Sequence, residues 1–129
     1  MLKIKLIKGR DYSKYVKVYK DENGKPYLED SKNYVSISHQ DNFTLVAISN
    51  KPIGIDIERV RKYKKSMNNY LGLSEKVVTS KYKFFKEWTK REAYIKRKNL
   101  KLGEIRNLDK MEGKFRTFFI YPYVVSLSY

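Results

Sequence analysis

The side chains able to do chemistry in this chain gather in two short segments, Gly54-Ile55-Asp56-Ile57-Glu58 and Trp88-Thr89-Lys90-Arg91-Glu92-Ala93-Tyr94-Ile95-Lys96. The first alternates as a strand does, so Asp56 and Glu58 project to one side and Ile55 and Ile57 to the other. Two carboxylates that close repel unless a proton or a cation sits between them. The second segment has helical spacing. Glu92 supplies a third carboxylate, Lys96 shares its face four residues on, and Arg91 is adjacent. Hard oxygen donors beside cations are the equipment for holding magnesium on a diphosphate. Each segment alone has an ordinary reading: an Asp-x-Glu strand end is commonly a solvated edge, and an exposed Glu–Lys helix pair contributes little.

Positioning these groups needs a strand first and a helix later. Lys81–Lys98 carries the strongest helical pattern, with Phe85, Trp88, Glu92 and Ile95 at three-to-four spacing. Ser74 is expected to cap a short helix running to Ser80. Residues 53–58 read as a strand after the break at Asn50-Lys51-Pro52. Upstream, residues 2–7 and 12–20 alternate, residues 21–26 form a turn cluster, and residues 34–39 with Phe43–Ser49 read as a hairpin about Gln40-Asp41-Asn42. Residues 100–108 read as a loop or short helix, and Phe115–Ile120 and residues 123–129 as two closing strands about Pro122. Tyr34-Val35-Ser36-Ile37-Ser38 echoes Tyr123-Val124-Val125-Ser126-Leu127-Ser128, as two related half-units would.

A chain of 129 residues, 41% apolar and 15% aromatic, is expected to form one compact domain with its own core. The absence of cysteine excludes disulfides and thiolate metal sites and fits a cytoplasmic setting. The first seven residues alternate charged and apolar side chains and lack the apolar stretch of a signal peptide. No apolar run approaches the ~20 residues of a membrane span. The net charge of +15 attracts anions: nucleic acid, phosphorylated cofactors, acidic proteins or anionic lipid. The basic run from Arg59 to Lys65 suits RNA phosphate, an acidic carrier helix or plain solvation. Histidine occurs once, as His39, and Trp88 fits a core position.

Taken in order, Gly24-Lys25-Pro26-Tyr27-Leu28, Ser36-Ile37-Ser38-His39, Gly54-Ile55-Asp56-Ile57-Glu58 and the segment Trp88 to Lys96 resemble the 4′-phosphopantetheinyl transferases, specifically their surfactin-synthetase-activating branch. The resemblance implies an α+β fold of the phosphopantetheinyl-transferase type, an antiparallel sheet packed against one long helix, with a truncated first half. It implies that Asp56, Glu58 and Glu92 bind magnesium, or manganese, on the pyrophosphate of coenzyme A. Ser38 and His39 would meet the 3′-phosphate and adenosine side, Lys25 would contact the cofactor, and Lys96 with Arg91 would neutralise phosphate charge. Glu92 or a metal-bound water would take the proton from a carrier-protein serine, and the phosphopantetheine arm would pass to that serine with release of 3′,5′-ADP. The partners implied are coenzyme A and an acidic acyl or peptidyl carrier protein, with neither a membrane nor nucleic acid.

Two departures stand out. Arg91 occupies the place of a family lysine, and an arginine fork does not replace a compact ammonium freely. The chain is also short for this branch. Residues 1–50 therefore read as a shortened N-terminal half with a hairpin, and 51–129 as the metal-binding and catalytic half of one domain. Arg10, Lys14 and Lys17 are the basic residues available for the 3′-phosphate. The short trimeric holo-acyl-carrier-protein synthases match the length but carry their Asp motif near the N-terminus. Monomer and small homo-oligomer both stay open. The rival reading is a non-catalytic basic module that binds nucleic acid or coenzyme A.

Overall fold

The computed structural model describes residues 1–29, 32–74, 78–108 and 110–129. Along the chain run β1 (Leu2–Lys8), β2 (Val18–Lys20), β3 (Pro26–Leu28), β4 (Tyr34–Gln40), β5 (Phe43–Ser49), β6 (Gly54–Arg59), α1 (Lys81–Lys98), β7 (Phe115–Ile120) and β8 (Tyr123–Ser128). Short 3-10 helices lie at Lys65–Leu71 and Leu102–Asn107. The strands form three small antiparallel sheets, ordered β1-β5-β4, β2-β3 and β6-β8-β7, where the sequence suggested one. The mixed α and β character and the single long helix are as expected.

The β4–β5 hairpin turns at Asp41, whose φ of 52° is the left-handed conformation that Asp tolerates. Residues 12–20 form a strand only over their last three positions. The Tyr12 carbonyl instead accepts the amides of Tyr15 and Val16, at 2.9 and 3.0 Å, and this turn drops Val16 into the core. The helix expected from Ser74 to Ser80 falls largely on 75–77, which lie outside the described residues. The side chains of Tyr63 and Asn68 close on the Val78 carbonyl beyond that stretch, at 2.6 and 2.8 Å.

Helix α1 starts where Ser80 accepts the Lys83 amide and ends where Asn99 turns left-handed at φ 56°. It buries Phe84, Phe85, Ala93 and Ile95, and it packs on β6 and β8. Gly54 fixes that approach: a Cβ there would stand 1.8 Å from the Ala93 carbonyl oxygen, so only glycine lets the helix backbone lie this close to β6. One core cluster joins Leu45 and Ala47 of β5 to Ile55 and Ile57 of β6 and to Val125 and Leu127 of β8. A second lies under α1 around Leu71, Phe84 and Phe85, with Trp88 packed against it. A third joins Val16, Val35 and Val46 on the far side of the first sheet. Among the described residues no helix is long and apolar enough to cross a membrane.

Candidate active site

Strands β4 and β6 run side by side in the same direction without a backbone ladder. The Ile55 amide donates to Ser36 Oγ at 3.0 Å and the Ile57 amide to Ser38 Oγ at 3.1 Å. Serine hydroxyls thus satisfy amides that a sheet would otherwise pair. Lys96, on α1, completes the junction. Its ammonium donates to the Ile37 and Ile55 carbonyls, at 3.2 and 3.0 Å, and to Asp56 Oδ1 at 3.2 Å.

Asp56 sits at the centre of this junction and is buried. Its Oδ1 accepts from Ser38 Oγ at 3.1 Å as well as from Lys96, while its buried Oδ2 has no protein partner. Burial pushes its carboxyl up to about 6, against the opposing pull of Lys96 and with a further push from Glu58. Glu92, one helical turn before Lys96, is pushed up to about 7, first by burial, then by the Asp56 charge, with Lys96 opposing and Glu58 adding. The three acids therefore share one electrostatic neighbourhood, brought together by the packing of α1 on β6. Glu58 leans outward, where Arg61 Nη1 meets its Oε2 at 3.1 Å, and the Arg61 guanidinium lies 4.6 Å from the Phe85 ring centre.

Among the described residues no three carboxylate or imidazole groups close into a ready-made metal cage. The donor set still suits a hard divalent cation. A buried carboxylate oxygen lacks a partner, and burial raises the proton affinity of two neighbouring acids, which a divalent cation would offset. Magnesium takes only one or two protein carboxylates and completes its shell with water and phosphate oxygens.

The other expected residues divide into two groups. Lys25 joins the junction, its ammonium donating to the Lys96 carbonyl at 2.7 Å, and half-burial lowers its affinity for a proton. It lines a cleft of about 160 Å³ with Gly24, Pro26, Ser36, Ile37 and Lys96. His39 stands at the end of β4. Thr44 donates its hydroxyl proton to the Gly9 carbonyl at 2.7 Å, so His39 Nδ1 must donate to Thr44 Oγ1, also at 2.7 Å. That fixes the tautomer and leaves Nε2 without a proton in the neutral ring. Burial, then Arg10, Lys20 and Lys96, hold the ring below its usual pKa. Arg10 was among the basic residues singled out from sequence, whereas Lys20 was not. Nothing in its local pattern marks it, since the turn at 21–26 brings it near.

Arg91 faces away from the acids. It is buried, its Nη1 directed at the Ile105 and Leu108 carbonyls, both 3.4 Å away, and its Nε lies 3.8 Å from Glu87. Sequence reasoning also missed Ser36 and Arg61. The repeated Ser-x-Ser spacing was a signal for the first, and for the second there was none beyond its place three residues after Glu58.

No protein-family model matches the chain. It is 40% identical over 85 residues to 4′-phosphopantetheinyl transferase gsp of Aneurinibacillus migulanus, a match covering 60% of this chain and 35% of that protein. Over that stretch the chain is similar to that transferase, whose name falls within the family its motifs resemble. It spans about a third of the relative's length.

Proposed function

We propose that the chain is a transferase that moves the 4′-phosphopantetheine group of coenzyme A to a serine of an acyl or peptidyl carrier protein. The observation that carries this reading is the buried Asp56, with one oxygen unpartnered, set beside Glu92 and Lys96. The relative's name supports the reaction class. Asp56, Glu58 and Glu92 are the residues that would hold magnesium or manganese, which when bound would supply charge neutralisation for a pyrophosphate. The cleft at Lys25 would take the nucleotide side, with Arg10 and Lys20 presenting positive charge to its phosphate beside the neutral His39 ring.

In the reaction, the serine oxygen forms a bond to the phosphorus bearing pantetheine. The bond from that phosphorus to the bridging oxygen breaks, and 3′,5′-ADP leaves. Glu92, pushed up to about 7, is matched to accept the serine proton near neutral pH. Lys96 fixes Asp56 and so orients the acid pair. Phosphoryl transfer depends chiefly on such alignment and charge placement. Arg91 braces the segment at Leu102–Asn107 from the opposite face of α1.

The test is incubation of the protein with coenzyme A, magnesium and an apo carrier protein, read by mass spectrometry. A phosphopantetheine mass gain that disappears in Asp56→Asn supports the reading. No gain on several carriers that a control transferase modifies overturns it.

A further inference from the structure

The edge strand β1 carries an apolar row that continues the core into solvent. Leu2, Ile4 and Leu6 point to one face and are 46%, 44% and 57% exposed. Directly across the ladder stand Ser49, Ala47 and Leu45, and the last two belong to the central core cluster. Alternate positions carry Lys3 and Lys5 on the other face, both exposed, with the Lys5 ammonium 5.9 Å from the Tyr15 ring centre. Among the described residues the outer edge of β1 has no ladder partner, since β1 ends the order β1-β5-β4. The outward-facing N–H and C=O groups of this seven-residue strand, beside an apolar row, form a template for strand addition.

Charge selects the occupant. A second copy of this chain pairing β1 with β1 antiparallel keeps apolar against apolar only in registers that also place lysine opposite lysine, and like charges directly opposite destabilise a ladder. The chain as a whole is at +15, which adds repulsion. An extended segment alternating acidic and apolar residues meets both faces at once: carboxylates opposite Lys3 and Lys5, and aliphatic side chains over Leu2, Ile4 and Leu6. We propose that β1 is a docking edge for an acidic, alternating strand of a partner protein. The proposal stands apart from the transferase reading, because β1 contributes nothing to the Asp56 junction.

The probe is an end-blocked peptide of seven residues, the length of β1, alternating Glu and Ile. Its controls are the same peptide with Lys for Glu, and a scrambled peptide of the same composition. Each is titrated into isotope-labelled protein. The expected result is amide shifts confined to β1 and β5, weakened by added salt. Lys3→Glu with Lys5→Glu should weaken the Glu peptide about tenfold and admit the Lys peptide. Leu6→Thr, which leaves the charges intact, should weaken both. Equal binding by the scrambled peptide, shifts spread over the basic surface, or no binding would each overturn the proposal. So would a concentration-dependent dimer that Leu6→Thr abolishes, since this would give the face to a second copy.

Discussion

Two strands with the same Ser-x-Ser spacing, β4 and β8, end in different company. In β4, Ser36 and Ser38 face a neighbouring strand and accept its amides. In β8, Ser126 faces α1, whose amides are already used within the helix. It joins a hydroxyl chain instead: Thr117 to Ser126 at 3.0 Å, Ser126 to Thr89 at 2.7 Å, and Thr89 to the Lys86 carbonyl at 3.1 Å. The same residues thus take their role from what their neighbour leaves unsatisfied. The helix-covered sheet supplies Asp56 and Glu58, its helix supplies Glu92, and the other sheet, covered by β2, β3 and the turn at Tyr12, supplies the hydroxyl that steadies Asp56. The proposed chemistry would lie on the seam.

The helix-covered half is most sensitive at Gly54. Gly54→Ala drives a Cβ into the Ala93 carbonyl and should cost about 3 kcal/mol or more, read by thermal or denaturant unfolding. In the first half, Gly24→Ala meets nothing within 4 Å and strains only a φ of +80°, so the same measurement should show about 1 kcal/mol. Equal losses would mean that α1 is not the rigid partner described here.

Removing the seam's charges comes next. Asp56→Asn and Glu92→Gln should each lower turnover by about a hundredfold or more, measured as product mass per unit time, with the fold retained by circular dichroism. Asp56 also couples stability to pH. Its folded pKa of about 6 lies above the ordinary 3.8, so the fold favours its neutral form. That contribution is complete below pH 3.8 and is lost as pH rises through about 6. In chelator, the stability of the wild type relative to Asp56→Asn should therefore fall by about 3 kcal/mol between acid and neutral pH. A divalent cation should restore it at neutral pH, and an unchanged difference would remove the cation from the site.

The two serines give the finest distinction. Ser38→Ala strips an acceptor from the Ile57 amide and a donor from Asp56, and should cost about 2 kcal/mol. Ser126→Ala breaks a chain that Thr89 can leave while keeping its bond to the Lys86 carbonyl, and should cost about 1 kcal/mol. A reversed order in unfolding experiments would show that the helix contact, not the seam, is the costlier to disturb.

How much of this was legible depended on range. Helix α1 and the β4–β5 hairpin were read from periodicity and a polar turn, which are local signals. That Asp56 sides with Glu58, and Glu92 with Lys96, was legible because i,i+2 and i,i+4 spacings fix which side chains share a face; that strand and helix meet was not. The Lys96 bonds to Ile37 and Ile55 were not, because a carbonyl has no sequence signature. Residues 12–20 misled because their alternation also fits a turn that buries Val16 and leaves its neighbours in solvent. Arg91 was placed by motif position, yet it lies one residue before Glu92 on the helix, a rotation that carries it to the other face.

The ammonium of Lys96 ties carbonyls of β4 and β6 together from a third element. Such a tie is also a latch. A polyanion that draws this ammonium toward itself must loosen both carbonyls in the same movement. Ligand arrival would then register as faster hydrogen exchange at the amides of Ile55 and Ile57, well before any product forms.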